Sequence, residues 1–184
     1  MPAYGINDDG FLREWLWPGL EENYSHRHVS HLYSLFTMKD PVICSDSVLL
    51  KAARAAVEKR MEIRRRDKGG VMAFGLVQLA MAASNLDMDS VVYEALGYLS
   101  DNYWTEGLMT RRDPGYIVNF DVVGGFPELI KKMLLYSEPG YISLLPSLPE
   151  QWDEGSVQGL WARGGIYIEK LTWGEDNVEV MMQS

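Results

Sequence analysis

From Val71 to Ala83 the chain leaves almost no polar face: Phe74, Leu76, Val77, Leu79, Ala80, Met81, Ala82 and Ala83 fill it. A helix that is apolar all round is buried all round. Any fold for this chain must therefore surround that segment. The neighbouring segments carry one apolar stripe each. From Ser45 onward, Leu49, Ala53, Val57 and Met61 recur at four-residue steps. The Lys and Arg residues between Lys51 and Lys68 read as the opposite, solvated face of that helix, which lies on the outside and ends at Lys68-Gly69-Gly70. Between Ser90 and Tyr103 the stripe is Val92, Ala95, Leu96, Leu99 and Tyr103. A buried helix alternating with half-exposed ones is what a two-layer barrel of inner and outer helices needs.

The period changes after Ser137. Glu138-Pro139-Gly140 is a turn, Tyr141 to Leu145 a short strand, and Pro146 and Pro149 bracket a further turn. Val157–Trp161 and Gly165–Trp173 read as strands, with Ile166 and Ile168 alternating against Tyr167 and Glu169. Gly174-Glu175-Asp176-Asn177 makes a hairpin to Val178–Met182. The fold class is mainly α with a β tail, divided into residues 1–137 and 138–184. No internal repeat or low-complexity segment is visible.

Charge and composition remove several function classes. The formal net charge is −9, and such a field repels phosphates, which argues against a nucleic-acid partner. No apolar run reaches the length of a membrane span. The single cysteine, Cys44, excludes an internal disulfide. Met1 is followed by Pro-Ala-Tyr-Gly-Ile-Asn, without the basic and apolar regions of a signal peptide. That fits either a cytosolic protein or a chain whose true N-terminus lies elsewhere. No cofactor motif stands out.

Polar chemistry concentrates in two places. Asn23-Tyr24-Ser25-His26-Arg27-His28-Val29-Ser30-His31 holds all three histidines of the protein. Metal ligation is one reading, but no acidic partner stands at metalloprotease-type spacing and no cysteine helps. In a helix His28 and His31 would share a face and His26 would not. The other readings are recognition of a small ligand, with Arg27 as a fixed fork of donors, and a buried network that fixes the loop. The second place is Ile117–Ser137. A β-branched and aromatic run turns through Gly124-Gly125, and a helix opens at Pro127, since proline is tolerated in a first turn. Asp121 then sits in a short connection among Phe120, Val122 and Val123. That setting fits a carboxylate with a shifted pKa, or a cap or turn aspartate.

Four segments together resemble the C-terminal part of glycoside hydrolase family 95, known mainly for inverting α-L-fucosidases with some α-L-galactosidases. They are D-G-F-L-R-E-W-L (9–16), N-Y-S-H-R-H-V-S-H-L-Y (23–33), N-F-D-V-V-G-G-F-P-E-L-I-K-K-M-L-L-Y-S (119–137) and L-L-P-S-L-P-E-Q-W-D-E-G-S-V-Q-G-L-W-A-R-G-G (144–165). The resemblance implies the late helices of an (α/α)6 barrel followed by a small antiparallel β domain. It implies that Asp121 is the general base and that Arg27 and His28 contact the sugar. Where many members carry a histidine shortly before the base, this chain has Thr110-Arg111-Arg112-Asp113-Pro114, so Arg112 is the candidate replacement. The family's general acid lies in an S-P-E stretch, and no S-P-E occurs among these residues.

The partner so implied is a carbohydrate, an α-L-fucoside or related glycan, in a secreted or periplasmic setting, with no metal and no cofactor. The chain is expected to be a fragment that is inactive by itself. Glu14, between apolar residues, does not match the acid and reads as structural or as a hydrogen-bonder at the rim of the site. The alternative is a non-catalytic carbohydrate-binding or remnant domain, since six tryptophans and ten tyrosines suit stacking on sugar rings.

Overall fold

Asp40 illustrates how the helical part is begun. Its carboxylate accepts hydrogen bonds from the Val42 and Ile43 amides at 2.9 and 3.1 Å, and Pro41 occupies the first helical position. Tyr4 donates its hydroxyl to the other oxygen at 2.6 Å. Burial pushes this carboxyl up, but the bonds from Tyr4, Ser34 and the two amides outweigh it and hold it below its ordinary value. Asp46 repeats the cap one helix later, accepting from Val48 and Leu49.

The computed structural model describes residues 3–66, 72–115 and 118–184. Among them lie a 3-10 turn, Ser30–Leu32, and the helices α1 (Ser34–Thr37), α2 (Pro41–Ser45), α3 (Ser47–Arg66), α4 (Ala73–Asn85), α5 (Asp89–Asn102) and α6 (Phe120–Leu134). Five strands follow: β1 (Leu135–Glu138), β2 (Tyr141–Leu144), β3 (Gly155–Ala162), β4 (Ile166–Trp173) and β5 (Val178–Gln183). The chain divides into two compact units, Met1–Leu129 and Ile130–Ser184.

In the first unit the apolar helix does what its composition requires. Leu76, Val77, Leu79, Ala80, Ala82 and Ala83 of α4 are fully buried, and α4 packs against α1, α3 and α5. The stripes of α3 and α5 bury Ala53, Val57, Met61, Val92, Ala95, Leu96 and Leu99 as the spacing predicts. The basic face of α3 does not behave as expected. Arg60 and Arg64 are buried, because residues 57, 60, 61 and 64 fall on one face of a helix. The expected stop at Lys68-Gly69-Gly70 and the start at Val71 lie outside the described residues.

α6 corrects two further readings. It begins at Phe120, not at Pro127, which lies inside the helix. Asn119 starts it by accepting the Asp121 amide at 2.9 Å. Gly125 is a helix residue rather than a turn: a Cβ there would stand 2.7 Å from Val77 Cγ1, so glycine permits close helix packing. At its other end α6 passes directly into β1, a strand that sequence spacing reads as more helix.

In the second unit, β1 and β2 form an antiparallel hairpin, and β3, β4 and β5 an antiparallel meander. Pro139-Gly140 closes the first hairpin with Gly140 at φ 81°. The alternation expected along β4 slips by one, so that Ile168, Leu171 and Trp173 are buried, because the pairing with β5 shifts register between Ile168 and Lys170. Trp173 donates its indole N–H to the Trp152 carbonyl at 2.8 Å. A Cβ at Gly155 would lie 2.3 Å from the Trp173 ring, so that position must be glycine.

Candidate functional site

The loop 23–29 is irregular backbone, and irregular backbone leaves carbonyls without partners. Two buried guanidinium groups supply them. Arg60 donates to the His26 carbonyl at 3.0 Å and the His28 carbonyl at 3.4 Å, and Arg64 donates to the Arg27 carbonyl at 2.8 Å. Arg60 also pairs with Glu14 at 2.9 Å, with 3% and 7% of the two side chains exposed. A buried charge needs such a counter-ion. Glu14 is therefore structural, as its mismatch with a family acid suggested. Sequence reasoning missed Arg60 and Arg64; their i, i+4 spacing beside Val57 and Met61 was the available signal.

With three consecutive carbonyls held by α3, the side chains leave the loop in fixed directions. Arg27 is exposed and His28 half-buried. The His28 amide donates to His26 Nδ1 at 3.2 Å, and the two rings lie 5.6 Å apart. His31 lines a cavity of about 300 Å³ together with His26 and Glu14. Its ring is pushed down to a pKa of about 4 by burial and then by the charge of Arg60, and its Nδ1 has no hydrogen-bond partner. Among the described residues no group of three or more His, Cys, Asp or Glu is placed to hold a metal ion.

Asp121 lies exposed in the first turn of α6. Its Oδ2 accepts from Asn119 Nδ2 at 2.9 Å, which orients the carboxylate. Asn119 is tied in turn to Thr110: its amide donates to the Thr110 carbonyl at 3.0 Å, and the Thr110 hydroxyl donates to the Asn119 carbonyl. Arg112 follows two residues after Thr110. Its side chain is half-exposed beside Asp113 at 3.5 Å, while its carbonyl accepts from the Ala73 amide at 2.7 Å.

The first turn of α4 connects these parts. Ala73 holds Arg112, and the Met72 amide donates to the Asp113 carboxylate. Gly75 carries the backbone of Arg27: a Cβ there would lie 1.9 Å from the Arg27 carbonyl oxygen. The Arg27 loop and the Arg112–Asp113 pair are thus anchored within three residues of each other on one buried helix. The arrangement offers a hydrogen-bonded carboxylate, an exposed guanidinium and an imidazole on a fixed frame. Such a set can accept a proton from water and hold hydroxyl groups.

Comparison with known proteins places the chain. The model of the glycosyl hydrolase family 95 catalytic domain matches residues 1–133, and that of the glycoside hydrolase family 95 C-terminal domain matches residues 136–183. Over 182 residues the chain is 30% identical to alpha-L-fucosidase 2 of Arabidopsis thaliana. That similarity covers 97% of this chain but 21% of the plant protein, so the chain spans about a fifth of its length.

Proposed function

The chain belongs to glycoside hydrolase family 95, and from that premise we propose that it forms the C-terminal part of an inverting α-L-fucosidase-like hydrolase. In this reading α3 to α6 are late helices of an (α/α)6 barrel and residues 138–184 are a β domain. Asp121 is the general base; Arg27, His28 and Arg112 contact the sugar.

An inverting glycosidase sets an acid and a base carboxyl about 6.5–9.5 Å apart across the sugar, with a water on the base side. Asp121 Oδ1 takes a proton from that water as its oxygen attacks the anomeric carbon. The glycosidic bond breaks, and the leaving oxygen takes a proton from the acid. The hydrogen bond from Asn119 holds the base while this happens. Arg27 and His28 donate to sugar hydroxyls from a loop whose carbonyls are already committed, so little ordering remains to be done on binding. The acid belongs to the part of the barrel outside these residues.

The observation that supports this reading is the anchoring of the Arg27 loop and of Arg112 and Asp113 on the first turn of α4, with Thr110 tied to Asn119 beside Asp121. Hydrolysis of a chromogenic α-L-fucoside tests it. We expect no turnover from the 184-residue chain and turnover from a hydrolase completed with the missing barrel helices. Asp121→Asn in the completed enzyme lowers kcat by about 10²–10⁴-fold with KM little changed, the contribution of general acid–base catalysis. Turnover by the chain alone, or near-normal turnover by the variant, overturns the assignment.

A further inference from the structure

Arg64 lies on the buried face of α3, and its guanidinium bears on two separate loops. Toward the first loop, Nη2 donates to the Arg27 carbonyl at 2.8 Å. The first turn of α4 closes over this bond: a Cβ at Gly75 would stand 2.9 Å from that Nη2 and 1.9 Å from the Arg27 oxygen. Toward the second loop, the charge of Arg64 acts on the hydroxyl of Tyr103, a side chain with no exposed surface.

Tyr103 is held between opposite charges. Burial pushes its hydroxyl up to about 12; the Arg64 guanidinium pulls it down and the Asp113 carboxylate pushes it up. Its backbone belongs to the same place, since the Tyr103 carbonyl accepts the Arg111 amide at 2.8 Å. Asp113 in turn accepts the Met72 amide and stands 3.5 Å from Arg112 Nε. The Arg112 carbonyl accepts the Ala73 amide at 2.7 Å. Loss of the Arg64 cation would thus take a donor from the Arg27 carbonyl and a counter-charge from the surroundings of Asp113 at once.

We infer that Arg64 is a positioning residue that seats Arg27 and Arg112 together, by a direct hydrogen bond to the first loop and through Tyr103 and Asp113 to the second. This role deepens the proposed function and rests on its reading of those two arginines as sugar contacts. Buried against Gly75, Arg64 acts through them and not on the sugar. Two donors seated on one frame before binding leave little to be ordered when a ring arrives, which is where their affinity comes from. A planar, permanently charged fork can serve two directions at once, which an apolar side chain of similar length cannot.

Tryptic cleavage and amide exchange of the full chain read this brace without any substrate. Arg27 is exposed, and the bond that trypsin cuts after it contains the carbonyl that Arg64 holds. Arg64→Met is expected to speed that cut about tenfold, the loss of one charge-assisted hydrogen bond. It should also lower the protection of the Met72 and Ala73 amides, which hold Asp113 and Arg112. The Val92 amide of α5, bonded to the Met88 carbonyl, keeps its protection. Tyr103→Phe lowers protection at Met72 and Ala73 and leaves the cut after Arg27 at its original rate. Should Arg64→Met unfold the chain, seen as lost protection at Val92, Tyr103→Phe still decides. In the completed hydrolase Arg64→Met raises KM about tenfold with kcat little changed. If Arg27→Ala leaves KM as it was, the sugar-contact reading of Arg27 falls while the exchange and cleavage results still stand for the brace. An unchanged cut after Arg27 in a folded Arg64→Met, protection at Ala73 that ignores Tyr103→Phe, or a KM raised by Arg27→Ala and not by Arg64→Met overturns the inference.

Discussion

Glu14 and Arg60 are separated by 46 positions in the sequence and are joined in the structure by one buried ion pair. Removing one member of such a pair strands the other charge in a low-dielectric setting. Glu14→Gln should therefore destabilise the chain by about 3–5 kcal/mol in urea unfolding. Glu58→Gln, which breaks the exposed pair with Arg65, should change stability by less than about 1 kcal/mol. Equal effects would remove the distinction. His31 adds a pH dependence. Its folded pKa, about 4, lies below the 6.5 of an ordinary histidine, so between these values the unfolded chain binds the extra proton. Stability then rises with pH through that window, by up to about 1.4 kcal/mol per pH unit, and is lost as pH falls toward 4. Chemical unfolding at a series of pH values checks it; His31→Gln should flatten the slope. The part played by Arg60 was not legible in the sequence, where it reads as one of a solvated face of basic residues. The H-R-H-V-S-H cluster drew attention to side chains, whereas its backbone carbonyls determine how the loop is held.

At the scale of the element, α6 separates what spacing can and cannot say. Its apolar stripe was plain, and Leu129, Met133 and Leu134 are buried as read. Its start was misplaced by seven residues because Gly124-Gly125 and Pro127 are turn residues in most contexts. Tertiary packing overrode that preference: Gly125 meets Val77 across the contact with α4, while Gly124 meets nothing within 4 Å. Two adjacent glycines thus answer the same substitution oppositely. Gly124→Ala should stabilise the chain by up to about 1 kcal/mol through helix propensity. Gly125→Ala must displace a fully buried β-branched side chain, an overpacking of about 1–3 kcal/mol that outweighs that gain. Thermal unfolding of the two variants decides it, and a stabilised Gly125→Ala would mean that α4 and α6 are not so close. The passage from α6 to β1 escaped detection for a similar reason. Leu134, Leu135 and Tyr136 are all buried, and a short apolar run has no period to betray its type.

At the scale of the whole molecule, the order of a helical part and a β part was readable because the hydrophobic period changes once along the chain. The location of exposed apolar surface was not. The all-apolar helix is covered by α1, α3 and α5. Apolar surface is exposed elsewhere: Phe120 and Val123, three residues apart on α6 beside Asp121, stand open, as do Leu108 and Met109. Large apolar side chains at this density favour association. The chain should elute from a sizing column as a concentration-dependent mixture and enhance the fluorescence of a hydrophobic dye. Phe120→Ser, at 81% exposure, should reduce both effects with little loss of stability, because the side chain has almost no packing to lose. Dye binding unchanged by this substitution would place the sticky surface away from the mouth of the Asp121 turn. A sharp monomer peak with cooperative unfolding and no dye binding would mean that these side chains are covered in solution.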